Sequence, residues 1–330
     1  MKRIDDSRRL WPVSTDRRGD GIPCLDEGTR NPLRFLRQCV ETDMTKGNGR
    51  AIVITGASTG IGATCAIHLD RLGFNVFAGI RKPDDGLALQ KASSGRLVPI
   101  ELDVTDLSTI QNSHALVSWK TGKSGLYGLV NNAGIAIVSP LEAVPLADLR
   151  HQLEVNVVGQ VAVTQTFLPL IRQARGRIIN MGSIAGLTTI PLMGPYSASK
   201  FALEAMTDAL RLEVRQWGIH VSIIEPGAIA TPIWNKSTID AAEREAGIKE
   251  DVRSLYQPMV AAVRKVVEEA STRAISSDAV AKVVENALTA STPRTRYLVG
   301  TDAKLRAFVA KLLSDRMSDR LLSWVLKLPR

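Results

Sequence analysis

Short runs of consecutive apolar residues alternate with segments of helical spacing from Arg50 onward, and this alternation constrains the fold of the 330-residue chain most strongly. A continuous apolar run is typical of a strand that is covered on both faces of a sheet. Strands that alternate with helices predict right-handed crossovers and a doubly wound parallel α/β sheet. The predicted strands are Ala51–Thr55, Phe74–Gly79, Leu97–Leu102, Leu126–Asn131, Arg177–Met181, Val221–Glu225 and Arg296–Gly300.

Helical spacing occupies the intervals between these strands. In doubly wound sheets, ligands bind in the crevice beyond the carboxyl ends of the strands. The motifs described below all lie at such an end or in the segment just after it, which indicates one shared binding crevice. The predicted helices are Gly60–Leu72, Asp84–Ala92, Leu149–Gln173 and Tyr196–Trp217.

The first strand runs into a glycine-rich turn that precedes the first helix. Gly56 permits a tight turn, Gly60 lets the backbone approach a phosphate, and Gly62 lets the helix pack on the strand. The N–H groups of the helix N-terminus then face a pyrophosphate. The spacing G-x-x-x-G-x-G differs from the general fingerprint G-x-G-x-x-G, but its place between strand and helix predicts dinucleotide binding. The predicted contacts of the turn are Gly56, Ser58, Thr59, Gly60, Ile61 and Gly62.

The residues after the second strand bear on the choice between NAD and NADP. An acid at this place would bind the ribose 2′-hydroxyl, whereas an arginine would bind a 2′-phosphate. Ile80 offers no acceptor, and Arg81 offers a planar set of donors suited to phosphate. We therefore predict a preference for NADP(H), with a solvated surface Arg81–Lys82 pair as the alternative.

Two further segments follow strands at the predicted crevice. Asp103 is placed to accept from an adenine amino group, with Val104 against the ring. The turn Asn131–Gly134 is small and polar, which suits close approach of a cofactor to Asn132, Ala133 and Gly134. Asparagine side chains also tie neighbouring loops together, and we expect this structural role above all for Asn131.

Four polar residues suit proton transfer at an alcohol or carbonyl oxygen. Tyr196 and Lys200 are spaced i, i+4 and so lie on one face of a helix. A phenol with a pKa of about 10 is a poor base, but a nearby ammonium group favours its ionised form. Ser183 is placed to hold the substrate oxygen, and a kink at Asn156 would let it hold a water near Lys200. The set predicts a nicotinamide-dependent oxidoreductase, although each residue alone also has an ordinary structural role.

These motifs together resemble those of the short-chain dehydrogenase/reductase family, from about Ala51 to Thr231. The resemblance implies a Rossmann-type fold, Asn156, Ser183, Tyr196 and Lys200 as the catalytic set, and hydride transfer with Tyr196 as acid/base. It also implies homodimers or homotetramers, formed through the two long helices that carry Asn156 and Tyr196. The remaining cofactor contacts are predicted at Pro226, Gly227, Ile229 and Thr231, with Thr231 on the carboxamide, beside contributions from Tyr196 and Lys200.

The substrate region is expected to be apolar. The segment 190–195, which precedes the catalytic tyrosine, and Ile229, Ile233 and Trp234 would form an apolar mouth, or would alternatively pack the helices of a lid. Length and the seventh strand resemble the hydroxysteroid and retinol dehydrogenase branch, which implies a steroid-, retinoid- or lipid-like alcohol or ketone. We place the substrate lid at about residues 228–275 of a single Rossmann-type oxidoreductase domain, residues 50–300.

The two ends of the chain carry most of its net charge of +9. Residues 1–49 are expected to form a poorly ordered basic extension, because they lack periodicity. Their acidic residues argue against a mitochondrial presequence. Translation that begins at Met44 is an alternative. Residues 301–330 are expected to form an amphipathic helix. It would pack on its own domain or a partner subunit, with contact to an anionic membrane as the alternative.

Composition excludes several other classes of protein. Residues 51–300 carry 24 basic and 22 acidic side chains, so no basic face for nucleic acid is expected. The cysteines Cys24, Cys39 and Cys65 lack pairing or metal spacing, which indicates a reducing, cytoplasmic location and no metal. Two other functions remain open, a regulator that binds the cofactor without turnover, and an epimerase or dehydratase on the same fold, which would favour a polar pocket.

Overall fold

A computed structural model of the chain describes residues 47–232 and 247–328. Their strands form one seven-stranded sheet in the order β3–β2–β1–β4–β5–β6–β7, with every neighbouring pair parallel. The predicted doubly wound α/β fold is thereby confirmed. The strands are β1 (Ala51–Ile54), β2 (Asn75–Ile80), β3 (Leu97–Glu101), β4 (Gly128–Asn131), β5 (Arg177–Met181), β6 (His220–Pro226) and β7 (Arg296–Val299).

Helices cover both faces of this sheet. Successive residues of a strand point to opposite faces. Ile52 of β1 accordingly packs in one apolar layer with Leu69 and Val284, whereas Val53 packs in the other with Phe167, and all five are fully buried. The helices are α1 (Gly60–Arg71), α2 (Pro83–Ala92), α3 (Leu107–Thr121), α4 (Leu146–Leu153), α5 (Gly159–Ala174), α6 (Gly194–Glu213), α7 (Glu250–Thr272), α8 (Ser277–Thr289), α9 (Thr301–Leu312) and α10 (Asp315–Val325).

Helix α3 has no counterpart among the predicted helices. Its N-cap is Asp106, whose side chain accepts a hydrogen bond from the Ser108 backbone N–H at 2.8 Å. Its buried face is narrow, with Ile110 and Val117 one heptad apart. The aspartate before this spacing is a helix-start signal that could have revealed the helix.

The chain between β4 and β5 is where a kink was expected. The predicted single helix consists of α4, a π-helical turn at Glu154–Val158, and α5. A π turn holds one residue more than an α turn and is frequent at functional sites. Asn156 lies in this turn and is fully buried.

The C-terminal segment differs from the expected single helix over 301–330. It forms α9 and α10, because Leu313 adopts an extended conformation and Ser314 starts the second helix. Within the described ranges, every helix is too short or too polar to cross a bilayer.

Some expectations concern residues that the structure does not describe. The extension at 1–49, with the start at Met44, falls almost wholly outside the described residues, as do Ile233, Trp234 and positions 235–246 of the lid. The described part of the lid includes α7, and Ile229 forms a parallel bridge with Ile275.

Candidate active site

The strand order places the site. The chain winds from β1 toward β3 on one side of the sheet and from β4 toward β7 on the other. Loops that leave the carboxyl ends of β1 and β4 therefore diverge, and they leave a crevice between them. A cavity of about 460 Å³ lies here.

The glycine turn borders this cavity and fits a pyrophosphate. Gly56 has a φ of +63°, and a Cβ at this position would lie 2.8 Å from the Ala133 Cα. A Cβ on Gly62 would lie 2.3 Å from the Gly56 carbonyl oxygen, so both positions require glycine. Helix α1 starts just after Thr59 without a side-chain cap and without an acidic residue in its first turn. Its first N–H groups are therefore available to an anion.

The loops after β1 and β4 are joined by a hydrogen-bond lock. The Thr55 hydroxyl oxygen accepts from the backbone N–H groups of Asn132 and Ala133 at 2.9 and 3.0 Å. The Asn132 side-chain amide donates to the carbonyls of Thr55 and Gly56 at 2.9 and 3.0 Å. Asn132 thus shapes the glycine turn in addition to lining the cavity.

Asn131 faces the interior of the domain. Its amide donates to Thr164 Oγ1 at 2.8 Å and to Asn180 Oδ1 at 2.9 Å. Asn180 is its register partner on β5. These contacts agree with the structural role expected for Asn131.

The part of the cavity beyond β2 and β3 is lined by Arg81, Asp103 and Val104. Arg81 follows β2 directly, and the two other residues follow β3. Asp103 Oδ1 accepts from the backbone and hydroxyl of Thr105 at 2.9 and 2.8 Å, which fixes the carboxyl group at the cavity wall.

Ser183, Tyr196 and Lys200 meet at the other end of the cavity. Ser183 bonds to the Tyr196 side chain, and its Oγ also accepts from the Ala185 N–H at 3.1 Å. Lys200 Nζ donates to the Met181 carbonyl at 2.7 Å and lies 5.7 Å from the centre of the Tyr196 ring. The three side chains are thereby held on β5 and α6.

Burial dominates the protonation of this group. Burial raises the pKa of Tyr196 above its ordinary value, and the hydrogen bond from Ser183 opposes this only in part. Burial also lowers the pKa of Lys200 to about 8, against the attraction of Glu204, which raises it. Burial therefore opposes the ionised phenol that a nearby ammonium group favours.

Asn156 does not line the cavity. Its amide group donates to Ser199 Oγ and to the Ile135 carbonyl, both at 3.0 Å, and its Oδ1 accepts from the Ile135 N–H at 2.9 Å. The π turn places the Asn156 side chain between the loop after β4 and Ser199, the residue that precedes Lys200. The structure thus assigns Asn156 a bracing position, and the predicted water near Lys200 stays a prediction.

The loop after β6 closes the cavity and is tied to α9. Pro226, Gly227, Ile229 and Thr231 line the cavity. The backbone N–H of Ala228 donates to Asp302 Oδ2 at 2.9 Å. Arg306, one turn along α9, donates to Thr188 Oγ1 at 2.6 Å. The start of α9 therefore holds the loops that follow both β5 and β6.

Of the predicted site residues, only Gly62 and Asn156 do not line the cavity. Gly62 lies beneath the glycine turn, and Asn156 lies behind α6. Ile190 and Met193 of the segment 190–195 pack with Ala136 and Tyr196, which themselves line the cavity, so the apolar mouth and the packed lid both stay predictions. The prediction missed a group of lining residues that continue strands β2 to β5 or lie on helix α4 and its π turn. These are Gly79, Ile80, Leu102, Thr105, Ile135, Ala136, Ile137, His151, Val155, Met181, Gly182 and, after β6, Pro232.

A signal for part of this group exists in the sequence. His151 and Val155 are spaced i, i+4, so one helical face carries both residues toward the cavity. The run Ile135–Ile137 directly continues the Asn131–Gly134 turn, and its position after a strand end places it at the crevice.

The chain is similar to known proteins over most of its length. The sequence model of the short chain dehydrogenase family matches residues 50–242. Over 284 residues the chain is 38% identical to retinol dehydrogenase 5 of Mus musculus, across 84% of this chain and 89% of that protein.

Solved structures agree with this match. A short-chain dehydrogenase from Streptomyces avermitilis superposes with a TM-score of 0.68 at 26% identity, across 84% of this chain and 96% of that one. A short chain dehydrogenase from Burkholderia cenocepacia in complex with NADP gives 0.62 at 25% identity, across 85% and 98%. The chain therefore belongs to the short-chain dehydrogenase/reductase family, in its retinol and hydroxysteroid dehydrogenase-like branch, and is an NAD(P)-dependent oxidoreductase that acts on CH–OH groups.

Proposed function

We propose that this protein uses NADP(H) to interconvert a hydrophobic primary or secondary alcohol and its aldehyde or ketone. The observation that carries the proposal is the convergence of Ser183, Tyr196 and Lys200 with the glycine turn on one cavity. A phenol, a hydroxyl and an ammonium group at one end, with free helix N–H groups at the other, match the two halves of such a reaction.

The protein's own residues handle the proton. A nicotinamide bound in this cavity would supply a hydride to the carbonyl carbon in reduction and accept one from the carbinol carbon in oxidation. Tyr196 donates its proton to the carbonyl oxygen in reduction and accepts the hydroxyl proton in oxidation. Ser183, which hydrogen-bonds to the phenol, also holds the substrate oxygen by a hydrogen bond of its own, and Lys200 places a positive charge beside the ring. This charge favours the phenolate that burial disfavours.

The preference for NADP(H) rests on Arg81. It lines the cavity directly after β2, and the first two residues after the strand, Arg81 and Lys82, are both basic. A guanidinium group binds a 2′-phosphate through paired hydrogen bonds. The solved neighbour in complex with NADP supports the same cofactor for this chain.

An apolar substrate is supported by the wall beside Tyr196. Ala136 packs with Tyr196, and Ile135, Ile137 and Ile229 line the same cavity. Residues 228–275 would act as a lid over it. Similarity to retinol dehydrogenase 5 favours a lipid-like alcohol, such as a retinoid or steroid. A nucleotide-sugar epimerase or dehydratase would favour charged groups on this wall.

Assembly into homodimers or homotetramers is supported by exposed apolar side chains on α6. Phe201, Met206 and Leu212 are 46%, 50% and 66% exposed. Burial of such side chains against a second copy of the helix is favourable.

A second exposed apolar surface lies on α9 and α10, and we define it as the C-terminal face. Residues 301–328 carry six basic and three acidic side chains, so the face is suited to an anionic lipid surface. Ala303 and Ala307 pack against Ile184, which supports the expected packing on the domain, while the large side chains point outward. We propose a cytoplasmic protein in peripheral contact with a membrane through this face. Its apolar members are Leu305, Phe308, Leu312, Met317, Leu321, Trp324 and Val325.

The proposed chemistry predicts that Tyr196→Phe lowers kcat by about 10² to 10⁴-fold, because the proton donor is lost. NADPH affinity, measured by fluorescence titration, should change less than about threefold. Turnover is measured as nicotinamide absorbance with steroid, retinoid, fatty and small polar carbonyls. Tight NADPH binding by the wild type without turnover of any of them would favour a regulator.

The cofactor preference predicts that Arg81→Gln raises the NADPH dissociation constant by about tenfold or more, because a charge-assisted bond contributes ~1.5–3 kcal/mol. NADH affinity should stay nearly constant. Lys82→Gln removes the same charge from the adjacent position, which does not line the cavity, and is the matched control. Equal affinities of the wild-type protein for NADH and NADPH would contradict the preference.

The assembly proposal predicts that Met206→Glu shifts the protein toward monomers in sedimentation velocity, because a charge would be buried at the subunit contact. Leu107→Glu, on α3 and 61% exposed at the original leucine, should leave the sedimentation coefficient unchanged. A wild-type protein that sediments as a monomer at micromolar concentration would refute the assembly.

The membrane proposal predicts that Trp324→Ser weakens co-sedimentation with phosphatidylserine vesicles by about tenfold, since insertion of one large side chain contributes ~1.5–3 kcal/mol. Trp119→Ser is the matched control, because Trp119 on α3 is 77% exposed and Trp324 is 78% exposed. Binding that the two substitutions reduce equally would speak against a specific C-terminal face.

A further inference from the structure

Two carboxyl groups and one guanidinium group form a cluster behind the catalytic helix. Glu204 lies on α6 and is 7% exposed, and Glu225 lies on β6 and is fully buried. Arg296 of β7 donates through Nε to Glu225 Oε1 at 2.8 Å and through Nη2 to Glu204. One arginine thus draws two buried carboxyl groups together.

Arg296 donates to only one oxygen atom of each carboxyl group. Glu204 Oε1 and Glu225 Oε2 are buried, and neither receives a hydrogen bond from a donor in the described part of the chain. The two carboxyl groups interact with each other. Two ionised carboxylates in such contact repel strongly, whereas a single proton between them supplies a donor to one oxygen and an acceptor to the other.

Glu204 also faces the catalytic lysine. It lies one helical turn after Lys200, and side chains on a helix lean toward its N-terminus, so Glu204 leans toward Lys200. Both residues are buried against the turn after β5. A Cβ on Gly186 would lie 3.0 Å from the Lys200 carbonyl oxygen and 3.2 Å from Glu204 Cγ.

We propose that Glu204 and Glu225 share one proton, held mainly by Glu225, and that the negative charge left on Glu204 keeps the Lys200 ammonium group charged. Glu204 and Glu225 are then positioning residues for the reaction proposed above, on which this second clause rests. The deeper burial of Glu225 and the proximity of Glu204 to a cation both direct the proton to Glu225.

The directions of the pKa shifts agree with this assignment. Burial and the adjacent Glu204 raise the pKa of Glu225 to about 8. Glu204 is the group that opposes the lowering of the Lys200 pKa by burial. Other charges at the cluster are Asp208, which contacts Arg296 at 3.6 Å, and Arg211, which pairs with Asp208 at the protein surface.

The shared proton is tested by thermal unfolding between pH 5 and pH 9, which needs no substrate. A group whose pKa is raised in the folded state stabilises the protein below its unfolded pKa, and this contribution is lost as the pH rises through the folded pKa of about 8. The Tm of the wild type should therefore fall over this range relative to Glu225→Gln, whose amide donates to Glu204 at every pH. Between pH 5 and pH 9 we expect the Tm of the wild type to fall by about 3 °C or more relative to that of Glu225→Gln.

Parallel Tm curves for the wild type and Glu225→Gln would overturn the shared proton. Glu204→Gln places the amide on the other side of the pair and gives the same test if Glu225→Gln does not fold. Such a constant Tm difference would instead identify packing that the substitution removes.

The link to Lys200 is tested by the pH profile of kcat/KM for ketone reduction with NADPH. Glu204→Gln should shift the alkaline limb of the profile to lower pH by about one unit, because Lys200 then loses its proton more readily. We expect kcat/KM to fall about fivefold at pH 8.5 and less than twofold at pH 6 relative to the wild type. Asp208→Asn, which removes the same charge one helical turn farther from Lys200, is the matched control and should leave the limb in place.

A loss of kcat/KM that is uniform across pH would show a merely structural role for Glu204 and would overturn the link. If the wild-type protein turns over no carbonyl at all, the proposed reaction fails, and the link is then tested by unfolding. A lowered Lys200 pKa makes stability rise with pH above that pKa, and in Glu204→Gln this rise should begin below pH 8, against about pH 8 in the wild type. An unshifted rise would overturn the link.

Discussion

The site depends on one constraint, the reversal of strand order between β1 and β4. Neighbouring parallel strands keep their carboxyl ends together, and the reversal makes their loops diverge. The glycine turn of one loop is then locked to the next by Thr55 and Asn132, through four hydrogen bonds of 2.9 to 3.0 Å. Since the lock uses backbone donors and acceptors of both loops, the shape of the crevice follows from the register of the two strands.

The group of Ser183, Tyr196 and Lys200 is built against the cost of burying charge. Lys200 is 4% exposed, and burial lowers its pKa to about 8, so the fold needs groups that keep the ammonium form available. The Met181 carbonyl at 2.7 Å supplies an acceptor, and Glu204 supplies a negative charge. The carboxylate has its own cost of burial, which Arg296 offsets. Each buried charge thus requires a neighbouring charge of opposite sign. The series ends at Arg296 and Asp208, which are partly exposed to solvent.

Features that depend on neighbouring residues were predictable from the sequence. The strand runs, the glycine turn and the i, i+4 pair of Tyr196 and Lys200 are local patterns, and the structure contains them. Contacts between distant segments were not predictable. Arg296 meets Glu225 and Glu204 across 71 and 92 residues, and no periodicity reveals such a meeting. The break of the C-terminal helix depends on the conformation of a single residue, which an uninterrupted amphipathic pattern hides.

Helix α9 connects the catalytic loops to the protein surface. Asp302 holds the loop after β6 and Arg306 holds the loop after β5, while Phe308 on the same helix is 62% exposed. A rigid helix transmits a displacement of its outer face to its inner contacts. Contact of Phe308 with a membrane or a partner would therefore act on the same loops that border Ser183 and Thr231.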